Sequence, residues 1–101
     1  NGTMPAVLNN AIDWLSRPYG AGAIKGKLFG VLGAAPTPYG AKWSHADAAR
    51  SAGIAGALVV EDVTVSQSTL EVDPVTDEAT RTKLLDALQR LVDADAETLA
   101  A

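Results

Sequence analysis

Ser44, His45 and Asp47 bring a hydroxyl, an imidazole and a carboxylate close together in the chain. Nucleophilic catalysis needs the three lined up, the base reaching the hydroxyl and the acid orienting the base. These three lie at a predicted helix start and point different ways, so they read as a cap with solvated polar neighbours. His45 is the single histidine and cysteine is absent, which excludes thiolate and histidine-rich metal sites, cysteine nucleophiles and disulfides. Gly20-Ala21-Gly22-Ala23-Ile24-Lys25 approaches a dinucleotide fingerprint, but Lys25 stands where the third glycine belongs and the segment follows a helix. No Walker A pattern or nucleophile elbow occurs. The acid pairs Glu61/Asp62, Asp77/Glu78 and Asp93/Asp95 read as solvated faces or helix ends. No catalytic side chain and no metal ligand is assigned.

The loop Ala35-Pro36-Thr37-Pro38-Tyr39-Gly40 offers chemistry of another kind. Two prolines stiffen it, backbone N–H groups near Gly40 can meet ring carbonyls, and Tyr39 and Trp43 can flank a planar ligand. An ordinary strand-to-helix connection, which also carries glycine and proline, is an equal reading of the same residues.

The elements around this loop follow from periodicity. Thr3-Met4-Pro5 supplies a capping-type hydroxyl and a proline before Leu8, Ala11, Ile12 and Leu15, which predicts a helix over 5–16. The turn at Arg17-Pro18-Tyr19-Gly20 ends it. Residues 27–34 are apolar at consecutive positions, as in a strand covered on both faces. Ser44 is placed as the cap of an alanine-rich helix running to Ala52 or Gly53, and a β-branched strand is predicted over 57–65. Thr76 and Asp77 open a last helix with a stripe of Leu84, Leu85, Leu88, Leu91 and Val92. Trp14 reads as packing, with a subunit interface as one place for it.

This α-β-α-β-α order predicts two adjacent parallel strands flanked by helices. Residues 33–44 and 66–76 then lie at the carboxyl edge of the sheet, where ligands of open α/β folds bind, and residues 17–26 and 53–56 at the opposite edge. Asn1-Gly2-Thr3-Met4 precedes a helix and is expected at the carboxyl edge too. Two strands make a poor sheet, so further strands are expected ahead of Asn1; the first residue is not methionine, and the chain reads as processed or truncated.

Composition narrows the partners. With 101 residues the chain forms one unit, 1–101, and no apolar run approaches the ~18 residues of a membrane span. Residues 1–60 hold five Lys/Arg against two acids, net +3, whereas residues 61–101 hold ten acids against three bases, net −7. The acidic half repels nucleic acid, and the mildly basic half suits a small phosphorylated ligand. No membrane and no nucleic-acid partner is expected, and the lack of cysteine is compatible with a cytoplasmic location.

The run Asn1-Gly2-Thr3-Met4-Pro5-Ala6-Val7-Leu8-Asn9-Asn10-Ala11-Ile12-Asp13-Trp14 closely resembles the NADPH-dependent FMN reductase family, whose flavodoxin-like members carry Pro-Glu-Tyr-Asn-Gly-Ser/Thr-x-Pro followed by Leu-x-Asn-Ala-Ile-Asp-Trp. Lys27-Leu28-Phe29-Gly30-Val31-Leu32-Gly33-Ala34 is similar to the family's fourth strand. The resemblance covers essentially residues 1–66 and, more loosely, the last helix. It implies an α/β fold, the carboxyl-terminal half of a flavodoxin-like doubly wound parallel sheet, lacking the upstream flavin-phosphate loop.

It further implies an FMN-dependent oxidoreductase that takes hydride from NADPH or NADH and passes electrons to flavin, quinone, azo or metal-oxyanion acceptors. In the intact protein the cofactors implied are FMN and NADPH, the partner a small-molecule electron acceptor and the assembly a homodimer or homotetramer, while the 101-residue piece alone is expected to be inactive. Carried over residue by residue, the ring-lining positions are Asn1, Gly2, Ala35, Pro36, Thr37, Tyr39 and Gly40. The family's Ser-Pro-Gly-x-x-Gly-Gly loop is altered at Ala35, Thr37 and Ala41, so flavin contacts there are expected to be backbone-mediated or altered. A fragment that is only structural or oligomer-forming, inactive by itself, is the alternative.

Overall fold

The computed structural model describes residues 2–100, with side chains placed through Thr98. The elements run α1 (Ala6–Leu15), β1 (Leu28–Ala35), α2 (Lys42–Ile54), β2 (Leu58–Ser68) and α3 (Glu78–Ala100). β1 and β2 pair in parallel, as crossover through a helix requires. The register sets Leu28 beside Leu58, Gly33 beside Ser66 and Ala35 beside Ser68, with an irregularity between Phe29 and Val31. α2 and α3 each pack on both strands but not on one another, so they cover opposite faces of the sheet, and α1 packs on α2.

Alanine sets the spacing of α2. Ala48 and Ala52 are buried to within 1% of complete, and their small side chains let the helix lie close to its neighbours. Met4, Ile12 and Ala48 form one buried cluster between α1 and α2. Ile24, Ala52 and Ala57 form a second, backed by Phe29 and Ala55. On the other face Val63 of β2 is buried, with Thr80, Ala87 and Ala94 of α3 also buried.

Several local expectations change. α1 starts after Pro5 with no side-chain cap, so Thr3 does not serve as one. α2 starts at Lys42, after Ala41 in the left-handed region, and the Ser44 hydroxyl donates back to the Ala41 carbonyl (3.0 Å) rather than accepting from an N–H. The helix therefore begins two residues before Ser44, because the turn at Gly40–Ala41, not a side chain, launches it. β2 extends three residues beyond Val65 to Ser68, where Ala35 continues to pair with it.

The stripe on α3 divides. Its buried line is Thr80, Ala87 and Ala94, a seven-residue spacing with Leu84 and Leu91 half-buried beside it, while Leu85, Leu88 and Val92 remain exposed. One helix face cannot bury five large residues on two strands. Asp77 holds the helix start as expected, its Oδ2 accepting from the Thr80 N–H (2.9 Å) and hydroxyl (2.7 Å). Those bonds draw the Asp77 carboxyl below its usual range. Arg90 joins Asp62 of β2 (2.8 Å) and Glu97 (3.1 Å) in an exposed ion group, whose carboxylates hold the guanidinium protonated.

β1 is less covered than its composition predicts. Val31 is buried, but Leu32 and Ala34 are exposed, because β1 has a single strand neighbour. Trp14 does not pack within the chain and is 75% exposed, with Val7 at 84% on the same helix.

Candidate functional site

The carboxyl edge is built by the ends of the two strands and the loop between β1 and α2. At its base Ala35 and Ser68 are register partners, and the Thr69 N–H donates to the Ala35 carbonyl (3.0 Å). From Ala35 the chain leaves the sheet through Pro36, Thr37, Pro38 and Tyr39, all exposed, and returns at Gly40, which is buried. Two turns close the loop: the Gly40 N–H donates to the Thr37 carbonyl (3.2 Å), and the Lys42 N–H to the Tyr39 carbonyl (3.0 Å). Gly40 has φ +53°, and a Cβ built there lies 2.5 Å from the Gln67 carbonyl carbon and 2.6 Å from the Ser68 nitrogen. Only glycine lets the loop return so close to the end of β2.

This geometry revises how the loop can meet a ring. Of the N–H groups near Gly40, that of Gly40 itself is spent inside the loop. Proline removes the donors at 36 and 38. Among the described residues, the N–H groups of Thr37 and Tyr39 show no backbone partner and lie on the exposed part of the loop. The Tyr39 and Trp43 rings lie 6.2 Å apart at 57°, both more than half exposed, and the Lys42 ammonium sits 5.7 Å over the Trp43 ring. They form one tilted aromatic corner beside the loop rather than two walls of a slot.

The amino-terminal segment is tied to the same end of the molecule. The Met4 N–H donates to Asp47 Oδ2 (2.9 Å), a contact between residues 43 apart, and Met4 is buried against Ile12 and Ala48. Gly2 is exposed with φ +86°. Asn1 lies outside the described residues. Ala35, Pro36, Thr37, Tyr39 and Gly40 thus share one loop, and Gly2 stands in a segment anchored to the first turns of α2.

His45 is where the sequence reading fails most. Instead of a solvated residue it is a buried one, 7% exposed, with Nδ1 2.7 Å from Ser66 Oγ. Its ring lies against Gly33, where a built Cβ would overlap Nε2. Burial disfavours the imidazolium and lowers the His45 pKa. Asp47, the third member of the discarded triad, faces the amino-terminal segment instead. A lone histidine one turn into a helix, with a glycine near the end of the preceding strand, was the available signal.

At the opposite edge a groove of about 400 Å³ runs between the ends of α1 and α2 and the 17–26 turn, lined by Ile12, Asp13, Arg17, Lys25 and Ile54 among others. Lys25 Nζ there donates to the Gly20 carbonyl (2.7 Å), so the near-fingerprint glycines form a turn that binds its own lysine. The groove includes none of the residues predicted to line a ring. Among the described residues, no group of three acid, histidine or cysteine side chains could hold a metal ion, and no helix is long and apolar enough to cross a membrane.

Residues 1–70 match the family of NADPH-dependent FMN reductases. No curated protein and no solved structure matches the chain. The match lies in the amino-terminal part of this chain, and the expectation that the resemblance is to the family's carboxyl-terminal half alone is not borne out by it. The mixed α/β architecture with parallel strands agrees with the flavodoxin-like fold. Since the matched residues make up well over half of the 101, the chain belongs to the NADPH-dependent FMN reductase family.

Proposed function

We propose that the carboxyl edge of this chain lines the ring of FMN in an oxidoreductase that takes hydride from NADPH or NADH and passes electrons to a small acceptor of the flavin, quinone, azo or metal-oxyanion class. The observation that supports this most is one loop, Ala35 to Gly40, standing off the ends of two parallel strands, whose exposed Thr37 and Tyr39 have N–H groups without a backbone partner. Donors of that kind fit the carbonyl and nitrogen edge of an isoalloxazine ring, and the Tyr39–Trp43 corner fits its apolar face. Gly2, exposed and without a side chain, allows close approach of a ring, and Asn1 belongs to the same segment. Gly40 shapes the loop, and Ala35 and Pro36 set where it leaves the sheet.

Bound flavin supplies the hydride chemistry, so the protein's part is to hold and orient the ring and tune it through hydrogen bonds. The phosphate of FMN is proposed to be held by residues outside this segment, since no phosphate loop follows either strand here. The test is oxidation of NADPH with FMN and with a quinone as acceptors. In the intact protein, turnover that depends on FMN and falls with Thr37→Pro, which deletes one unpaired donor, supports the reading; FMN-independent turnover, or none with any acceptor, favours the second reading of a structural or oligomer-forming unit, to which the exposed Val7 and Trp14 would contribute.

A further inference from the structure

We infer that His45 is a positioning residue that fixes the shape of the Ala35–Ala41 loop by clamping the ends of β1 and β2 at Gly33 and Ser66. The inference builds on the proposed flavin role of that loop but stands on separate geometry. Gly33 and Ser66 are register partners, and the imidazole of His45 meets both: Nδ1 is 2.7 Å from Ser66 Oγ, and the ring fills the space a side chain at Gly33 would need. Two residues beyond this pair lie Ala35 and Ser68, the partners between which the loop leaves the sheet. The His45 backbone N–H makes the first bond of α2, to the Ala41 carbonyl (3.0 Å), which places the ring one helical turn from the loop's return. The imidazole thereby meets both strands directly below the loop.

The chemistry suits a clamp. A serine hydroxyl can donate or accept, so it bonds Nδ1 of neutral imidazole in either tautomer. A buried hydrogen bond is directional and costly to leave unmade, whereas an apolar contact of similar area would let the strands slide. Gln67 continues the fixation from the other face: Lys83 Nζ of α3 donates to Gln67 Oε1 (3.0 Å), and Gln67 Nε2 donates to the Ser68 carbonyl (2.9 Å). The Gln67–Ser68 peptide, on which Gly40 rests, is held from α2 through Ser66 and from α3 through Lys83.

Amide hydrogen exchange on the 101-residue chain tests this, comparing wild type with Ser66→Ala, Ser66→Thr and His45→Gln. Losing the clamp should speed exchange of the Gly40, Lys42 and Thr69 amides about tenfold in Ser66→Ala, with Ser66→Thr near wild type and His45→Gln between. The Gly26 amide, bonded to Gly56 at the opposite edge, and the Arg81 amide of α3 should not change. Equal acceleration at all five amides, or none at the loop, overturns the inference. FMN titration of the same proteins separates this from the flavin reading. If millimolar FMN shifts no amide at the carboxyl edge of the wild type the flavin assignment fails, while exchange still decides whether His45 positions the loop.

Discussion

Gly40 rests on the backbone of Ser68, and the space between them is too small for a β-carbon, 2.6 Å from the Ser68 nitrogen to where it would lie. Together with the left-handed φ of Gly40 and Ala41, this contact turns the loop back onto the sheet and launches α2. The glycine is therefore structural before it is functional.

Gly40→Val should destabilise the fold by about 2–4 kcal/mol, since it combines strained φ with a backbone collision. Gly53→Ala should do the reverse by about 0.5–1 kcal/mol, because its Cβ would meet only Val59 Cγ2 at 3.7 Å within a helix. Ala41→Gly should add about 0.5 kcal/mol by relieving the left-handed alanine. Urea unfolding of the three variants checks the signs, and a Gly40→Val protein as stable as wild type would refute the loop geometry.

Acid should weaken the protein in two windows. Burial lowers the His45 pKa, so below its ordinary value of 6.5 the unfolded chain binds a proton that the folded chain resists, and stability falls with pH until the folded-state value is passed. Above that range His45 contributes no slope. Asp77, depressed by its bonds to Thr80, contributes stability above its ordinary 3.8 and loses it as pH falls through that region. Melting temperature against pH should show the upper slope vanish in His45→Gln and the lower one shrink in Asp77→Asn.

Asp47→Ala should release the amino-terminal segment. The bond from the Met4 N–H to a carboxylate is worth about 1.5–3 kcal/mol as a charged hydrogen bond, less for its partial exposure. Global stability should fall by about 1 kcal/mol and the Met4 amide should lose protection first. Unchanged protection would mean that packing by Met4, not the bond, anchors Gly2 and Thr3.

Val7 and Trp14 lie seven residues apart on the outer face of α1, both strongly exposed. If the chain self-associates through that face, Val7→Glu with Trp14→Glu should shift sedimentation toward the 10.4 kDa monomer and change folding stability by less than about 0.5 kcal/mol. Association that survives both charges would place the contact elsewhere, with Leu85, Leu88 and Val92 of α3 the next exposed apolar face.

Element type and order were legible because each rests on local pattern: Leu8, Ile12 and Leu15 at helical spacing, the consecutive apolar run of β1, and the β-branched run of β2. Parallel pairing followed from the helix between the strands. What pattern could not supply was which apolar side chains a two-strand sheet has room to bury, so Leu85, Leu88 and Val92 read as core although they are exposed. The loop at Ala35–Gly40 was visible through its prolines, yet composition does not disclose that one turn consumes the Gly40 N–H or that the next runs through a left-handed Gly40 and Ala41. His45 looked solvated for the same reason: its partner Ser66 lies 21 residues away and meets it only through the sheet register.

The most direct test of the flavin assignment is FMN titration into uniformly 15N-labelled chain, followed by amide chemical shifts, which report even weak contacts. Binding at the carboxyl edge predicts that perturbed amides concentrate at Gly2, Ala35, Thr37, Tyr39 and Gly40. Shifts confined to the groove around Arg17, Lys25 and Gly56, or no shifts at millimolar FMN, would contradict it.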